Sequence, residues 1–582
     1  MKSWGPRAET CTTVKRPSLL LAAFVAACAF AGSASAGNPF GVTVVRFSAD
    51  TTPAQMRSSV VVAGGVVVGD LSAIDALAVV PRSPSFGARL ASNGSVTAFF
   101  QDKLFEGDRS TYGATGGGRW NGSAGGTGAD VVADPWHALF QWDDDRMNVS
   151  TAWGVTTGDK SIDVAVLDTG VQANHRELKG VFDKSLGGNF IPCDDLKALL
   201  GLGFIERSGL RDCRDGDFEG HGTWVASRVA GALNGSASNG VAPGVRIGSY
   251  KALAAGLGGL SSWILSGLVA ACSDPRIDVV NMSIEGYMDP SDPSSVPDYL
   301  LFTDAVAYCL SRGVPVFAAG GNQHVRVDRV TLTLGGRHLE GVGRVSTGNE
   351  GIGTVSPGST STADYDLRGW LSVPGGVPGV TMVSATANAI GAAPADIPLR
   401  WQAHVGARDQ LAYYSNYGSR VDLAAPGGAR RYEIPGYDGG AGDVLYGGWG
   451  SFGALAADGL ICQDPFTGSV FNSACFKDRG DGYGWLQGTS MATPNAAGAA
   501  ALVLSARPDL RGRPAALVQR LADTATRSLV NYMGPNDAAN TAPALNGTLC
   551  GTAFCHVDQT HPIAFADAYG AGLVDAGAAV TP

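Results

Sequence analysis

Ser490 stands in the run Gly488-Thr489-Ser490-Met491-Ala492-Thr493-Pro494. A glycine-rich run, Arg479 to Gly484, precedes it, and an uncharged run rich in alanine and leucine, residues 495–504, follows. The first run reads as a loop and the second as a buried helix. Pro494 suits the first turn of that helix, where a missing N–H costs nothing. A serine at such a junction lies beside unpaired backbone N–H groups and the positive end of the helix dipole. It is placed to attack a carbonyl and to have the resulting oxyanion held. A lone serine at a helix start is far more often a cap, so nucleophilic chemistry requires partners. Asp168 closes a mostly apolar run, Ser161 to Leu167, and is followed by Thr169-Gly170. That puts a carboxylate at the carboxyl end of a buried strand, where open α/β sheets gather their sites. His221 opens a helical stretch between Gly220 and Gly222, a setting that none of the other histidines has. A neutral imidazole can take a serine proton when a buried carboxylate fixes its tautomer.

These residues need a frame that brings three distant segments together. From about Pro135 onward, strand-like and helix-like runs alternate. Strands are expected over Gly244–Leu253, Ile277–Ser283, Val314–Ala319, Gly379–Thr386 and Val421–Ala425, with helices over Ser261–Cys272 and Asp304–Arg312. Such alternation implies an α/β fold, a mostly parallel sheet with helices on both faces.

The chain order Asp168, His221, Ser490 is one of three known for this chemistry. With Asp168-Thr169-Gly170, His221-Gly222-Thr223 and Gly488-Thr489-Ser490-Met491-Ala492, the sequence resembles the subtilisin-like serine protease family, the subtilases. A fourth block agrees: Val316-Phe317-Ala318-Ala319-Gly320-Gly321-Asn322, with an extra glycine at Gly320. The resemblance runs from about residue 135 to 582, with gaps. It implies a subtilisin-like sheet and a serine endopeptidase with a catalytic Asp168, His221 and Ser490. It also implies that the Asn322 side chain donates to the oxyanion. Gly258-Gly259-Leu260 and Ser283-Ile284-Glu285 resemble the two edges between which the family's substrates pair as an added strand. Glu285 stands where the family usually has glycine, in the wall of the pocket for the residue before the cut. A carboxylate there would favour Arg or Lys in the substrate, or else point to solvent and crowd the rim. No cofactor is required for the chemistry. Structural calcium is possible near Glu177, although the loop Leu233–Gly240 looks short for it. Two insertions, near 185–215 and 323–378, depart from the family. The second alternates apolar and polar residues over Val325–Leu334 before a Gly335-Gly336 hairpin turn.

Residues 1–36 carry a basic start, an apolar stretch too short to span a bilayer and an Ala34-Ser35-Ala36 cleavage site, which together read as a signal peptide. The product is expected to be secreted; a competing reading is a lipid anchor through Cys28. Residues 37–105 read as β-α-β-β-α-β, a small ferredoxin-like α+β unit. It is similar to the inhibitory pro-domain in front of many subtilases, whose tail lies in the cleft. Residues 106–134 form a glycine-rich linker, and the catalytic domain follows from 135 to 582. The net charge of −10 argues against nucleic acid as a partner. Protein or peptide substrates and the chain's own pro-domain are the expected partners, with no transmembrane segment. Eight cysteines follow the leader, an even number that suits an oxidising compartment. Local pairs are simplest: Cys193–Cys213, Cys272–Cys309, Cys462–Cys475 and Cys550–Cys555. No C-x-x-C or H-E-x-x-H spacing points to a metal. A peptide transferase or cyclase sharing the chemistry, or a catalytically silent scaffold on the fold, remain as other readings.

Overall fold

A computed structural model describes residues 40–105, 136–193, 214–323, 325–346, 367–388, 408–412, 414–428, 450–461, 475–527 and 563–581. The leader, the linker and much of the first insertion therefore lie outside the described residues.

The first unit contains β1 (Thr43–Phe47), α1 (Pro53–Ala63), β2 (Gly65–Leu71), β3 (Ala76–Pro81), α2 (Phe86–Ala91) and β4 (Val96–Gln101). Its sheet has the order β2-β3-β1-β4, antiparallel throughout. Helix α1 starts where a capping box predicts it. Thr52 accepts from the Gln55 backbone and the Gln55 side chain accepts from Thr52 N. Alternation along β1 sends Val45 and Phe47 toward Met56, Val60, Phe86 and Leu90. Val44, on the opposite face, joins the core of the larger unit. The small sheet is thus covered on one face by its own helices and on the other by the rest of the protein. A two-residue strand, β5 (Leu104–Phe105), extends from it.

The larger unit is built on an eight-stranded sheet. Its path is β17-β16-β12-β10-β6-β8-β7, with β18 also paired to β16. The strands are β6 (Asp163–Asp168), β7 (Phe182–Asn189), β8 (Arg246–Lys251), β10 (Ile277–Met282), β12 (Val316–Ala319), β16 (Thr381–Asn388), β17 (Arg408–Leu411) and β18 (Leu423–Pro426). Every pairing is parallel except β16 with β17. All six residues of β6 are buried, as a strand covered on both faces requires. Helices α3 (His221–Ala230), α4 (Ser261–Ser273) and α5 (Ser295–Ser311) surround it, and α6 (Thr489–Ala506) runs against it. Helix α5 begins nine residues before the expected Asp304, because Pro297 falls in its first turn and is tolerated there.

Two further expectations need correcting. Arg479–Gly484 is not a loop. It turns at Arg479-Gly480 between β20 (Cys475–Asp478) and β21 (Asp481–Leu486), which pairs with β19 (Ser451–Leu455). Tyr483 and Trp485, two residues apart, share one face and pack with Phe452 and Phe476. Pro494 lies well inside α6, beyond its first turn, because the cap is Gly488. The second insertion forms the expected hairpin, β13 (Val327–Leu334) and β14 (Arg337–Val345), with Gly335 and Gly336 at φ +53° and +79°. It joins β11 (Gly286–Met288) and β15 (Leu371–Val373) in a second sheet. Cys272 and Cys309 form the expected disulfide between α4 and α5. Cys193 and Cys475 are also disulfide-bonded, whereas Cys213, Cys462, Cys550 and Cys555 lie outside the described residues.

Candidate active site

Asp168 ends β6 and His221 begins α3, and the structure joins them: His221 Nδ1 lies 2.7 Å from Asp168 Oδ1. Asp168 is fully buried and His221 nearly so. The residue after His221 has to be glycine for this approach. A Cβ on Gly222 would come within 2.1 Å of Gly170 O and 3.1 Å of Asp168 Cβ. Thr169 Oγ1 accepts from Gly222 N at 2.9 Å and donates to Asp217 Oδ1 at 2.9 Å. Asp217 also accepts from Glu219 N, Gly220 N, Thr223 N and Thr223 Oγ1, so one carboxylate ties the turn before His221 to the end of β6. Burial opposes a charged imidazole at His221. Asp168, then Glu219 and Asp217, outweigh it and push the pKa up to about 9.

Ser490 is the second residue of α6, and α6 packs directly on α3. Seven residues past His221, the fully buried Arg228 donates to Asn495 Oδ1 from Nε at 3.2 Å and from Nη2 at 3.0 Å. Asn495 in turn donates to Pro426 O, and Arg228 is neutralised by the buried Asp143 and Asp144. This crosslink fixes the two helices that carry His221 and Ser490. Pro494 has no N–H for the carbonyl four residues back, which belongs to Ser490. The Ser283 hydroxyl donates to that carbonyl instead, at 2.8 Å. The Ser490 hydroxyl donates to Ser283 O at 3.2 Å, so it must turn away from that carbonyl before a base can take its proton.

Asn322 follows β12 at the same end of the sheet. Its Oδ1 accepts from Thr489 N at 2.8 Å and Thr489 Oγ1 at 3.0 Å, which leaves the NH2 end of the amide to face away from Thr489. The two expected edges also assemble here. The short strand β9 (Gly259–Leu260), which follows Gly258, carries β5 as an antiparallel partner, Leu104 opposite Leu260 and Phe105 opposite Gly259. On the other side, a Cβ on Gly286 would collide with the Phe105 ring at 2.1 Å, so the tail lies between the segments 258–260 and 283–286. Ile284 is buried. Glu285 is half-buried and does not point to solvent: its Oε1 accepts from Gln323 Nε2 at 2.8 Å. Asp217, Glu219 and Gln323 escape a motif reading, whereas Thr169 and Thr489 stand inside the motif blocks and only their bonds to Asp217 and Asn322 are new. For Asp217 and Glu219 the available signal is acidic spacing, four and two residues before His221.

The surroundings of Glu177 do not fit calcium. Its Oε1 accepts from the Tyr483 hydroxyl at 2.6 Å and its Oε2 from Asn234 Nδ2 at 3.0 Å, with Arg176 Nε 4.0 Å away. These are hydrogen donors and a cation, whereas calcium requires a cage of oxygen acceptors.

Residues 159–547 match the model of the subtilase family. Subtilisin NAT of Bacillus subtilis subsp. natto is 27% identical over 366 residues, 63% of this chain and 61% of the relative. The major intracellular serine protease of Bacillus subtilis (strain 168) is 29% identical over 219 residues, 37% of this chain and 59% of the relative. The chain thus spans about three-fifths of the length of these relatives. Among solved structures, the epidermin leader peptide processing serine protease EpiP of Staphylococcus aureus superposes with a TM-score of 0.56 at 17% identity, covering 93% of this chain and 97% of that one. Fervidolysin of Fervidobacterium pennivorans gives 0.55 at 17% identity, covering 93% of this chain and 61% of that one. At such identities the superpositions speak for the fold alone. Among the described residues, no helix is long and apolar enough to cross a membrane.

Proposed function

Because the chain belongs to the subtilase family, we propose that it is a secreted serine endopeptidase made as a zymogen, acting on proteins or peptides. The observation that carries this reading is the buried 2.7 Å contact between His221 Nδ1 and Asp168, on a helix braced to the one that bears Ser490. Ser490 Oγ attacks the scissile carbonyl while His221 Nε2 takes its proton. Asp168 holds the Nδ1–H tautomer and stabilises the imidazolium. The oxyanion is received by the Asn322 amide and the backbone N–H of Ser490. Collapse of the tetrahedral intermediate expels the amine, which takes the proton from His221. Water then repeats the sequence on the acyl-enzyme and releases the acid.

Residues 37–105 act as the inhibitory pro-domain in this reading. Support comes from β5, which occupies the β9 edge as a substrate strand would. The leader 1–36 directs export and is removed, and the linker 106–134 is cut by the enzyme itself. Ser490→Ala tests the whole reading. It should abolish both the fragmentation of casein and the loss of the N-terminal unit in a protease-deficient host. Retained processing at the wild-type rate would refute self-cleavage. Ligated rather than fragmented peptide would point to a transferase, and a wild-type protein that neither loses its N-terminal unit nor turns over substrate once that unit is removed would point to a scaffold.

A further inference from the structure

Gly321, immediately before Asn322, has φ +108° and is walled in by polar side chains from two other segments. A Cβ there would lie 2.1 Å from Asn416 Nδ2, 2.8 Å from the Tyr287 hydroxyl and 2.9 Å from Glu285 Oε2. Gln323 connects these groups to the backbone of Asn322. Its Nε2 donates to Glu285 Oε1 at 2.8 Å. Its Oε1 accepts from Asn322 N at 3.0 Å and from the Tyr287 hydroxyl. Asn416 Nδ2 donates to the Tyr287 oxygen and, at 2.8 Å, to Gly320 O, while its Oδ1 accepts from Val325 N at 3.0 Å.

The network has a direction. An ionised carboxylate only accepts hydrogen bonds, whereas an amide side chain has one accepting and one donating end. Glu285 therefore obliges Gln323 to turn its NH2 toward it, and the Gln323 carbonyl is left to face the Asn322 N–H. With a donor in place of Glu285, the amide would turn over and set its NH2 against that N–H. A buried donor without an acceptor is costly, so the turn at 320–322 would shift.

We propose that Glu285 and Gln323 are positioning residues for the oxyanion donor. Glu285 sets the orientation of the Gln323 amide, and Gln323 holds the Asn322 backbone at the angle from which its side chain reaches the oxyanion. The inference rests on the reading of Asn322 given above. It assigns the carboxylate at this usually glycine position to the catalytic frame rather than to the recognition of a basic substrate residue.

The test uses kcat and KM on peptide p-nitroanilides with the processed enzyme. Gln323→Ala and Glu285→Lys should each lower kcat by roughly 10- to 100-fold, less than or at most equal to the roughly 100- to 1000-fold cost of removing an oxyanion-hole donor outright, with KM changed less than about threefold. Glu285→Gln still offers an acceptor oxygen and should recover most of what Glu285→Lys loses. Tyr287→Phe, which removes one hydroxyl, serves if Glu285→Lys does not fold, and should give a smaller loss of the same kind. The deciding readout is the double-mutant cycle with Asn322→Ala. In that background the same substitutions should leave kcat unchanged, because the group they position is gone. Equal losses in both backgrounds would overturn the inference. So would effects confined to KM or to the preference between Arg and Leu before the cut. A wild-type kcat in Asn322→Ala alone would remove the oxyanion role of Asn322, and the inference with it.

Discussion

Docking of the N-terminal unit should weaken as pH rises, and Asp102 sets the size of the effect. Asp102 belongs to the tail that leads into β5, yet its carboxylate caps α4 of the larger unit. Ser262 N donates to Oδ1 at 3.1 Å and the Ser262 hydroxyl to Oδ2. Burial pushes its pKa from the ordinary 3.8 up to about 7, against the bonds from Ser262 and Lys103 that favour the charged form. The neighbouring Asp298 is fully buried, and burial and then Asp102 push its pKa upward as well, so it works in the same sense. The nearby cation, Lys103, is committed to Asp292 at 2.7 Å. A pKa that is higher docked than free means that docking takes up a proton. The added affinity is complete below the free value and is lost as pH climbs through about 7. A gap of about three pKa units is worth roughly 4 kcal/mol at its limit. Between pH 5 and pH 8 that corresponds to a dissociation constant about a hundredfold larger. Binding of the separate 37–105 polypeptide to the larger unit carrying Ser490→Ala can be followed by tryptophan fluorescence, because Phe40 packs on Trp263 at 5.4 Å. The inactive variant keeps the measurement independent of catalysis. Asp102→Asn should flatten the dependence. A constant that does not change from pH 5 to pH 8, or an equal slope in Asp102→Asn, would refute the reasoning.

In the proposed mechanism the base is neutral His221, and its pKa is held up to about 9, so the acidic limb of kcat/KM should lie well above the ordinary histidine value of 6.5. Glu219→Gln removes one of the carboxylates responsible and should move that limb to lower pH; a limb that stays in place would exclude Glu219 as a cause. Arg228→Met should destabilise the protein by roughly 3–5 kcal/mol, because it takes the guanidinium away from the buried Asp143 and Asp144, of which Asp144 keeps His137 at 3.4 Å. Thermal or urea unfolding of the Ser490→Ala protein measures this, and a loss below about 1 kcal/mol would count against the role given to the crosslink.

The fold family, the parallel sheet and the three blocks that carry Asp168, His221 and Ser490 were legible in the amino-acid sequence. Each of these is local. A buried strand is a short apolar run, and a helix start carries its cap and its glycines within a few residues. The β-α-β-β-α-β order of the first unit was legible for the same reason, as was the hairpin at Gly335-Gly336. Local pattern failed where a distant partner decides the outcome. Glycines made 479–484 look like a loop, but Phe452 and Phe476 from neighbouring strands give Tyr483 and Trp485 a face to pack on. Pro494 looked like a residue of the first turn, and only Ser283, more than two hundred positions earlier, reveals what becomes of the carbonyl that it leaves unpaired. The surroundings of Glu177 depended on Tyr483, and the direction of Glu285 depended on Gln323. Hydrogen-bond partners of buried polar groups are chosen by proximity in space. The chain brings those groups together only after the sheet has formed, so the tertiary structure alone decided them.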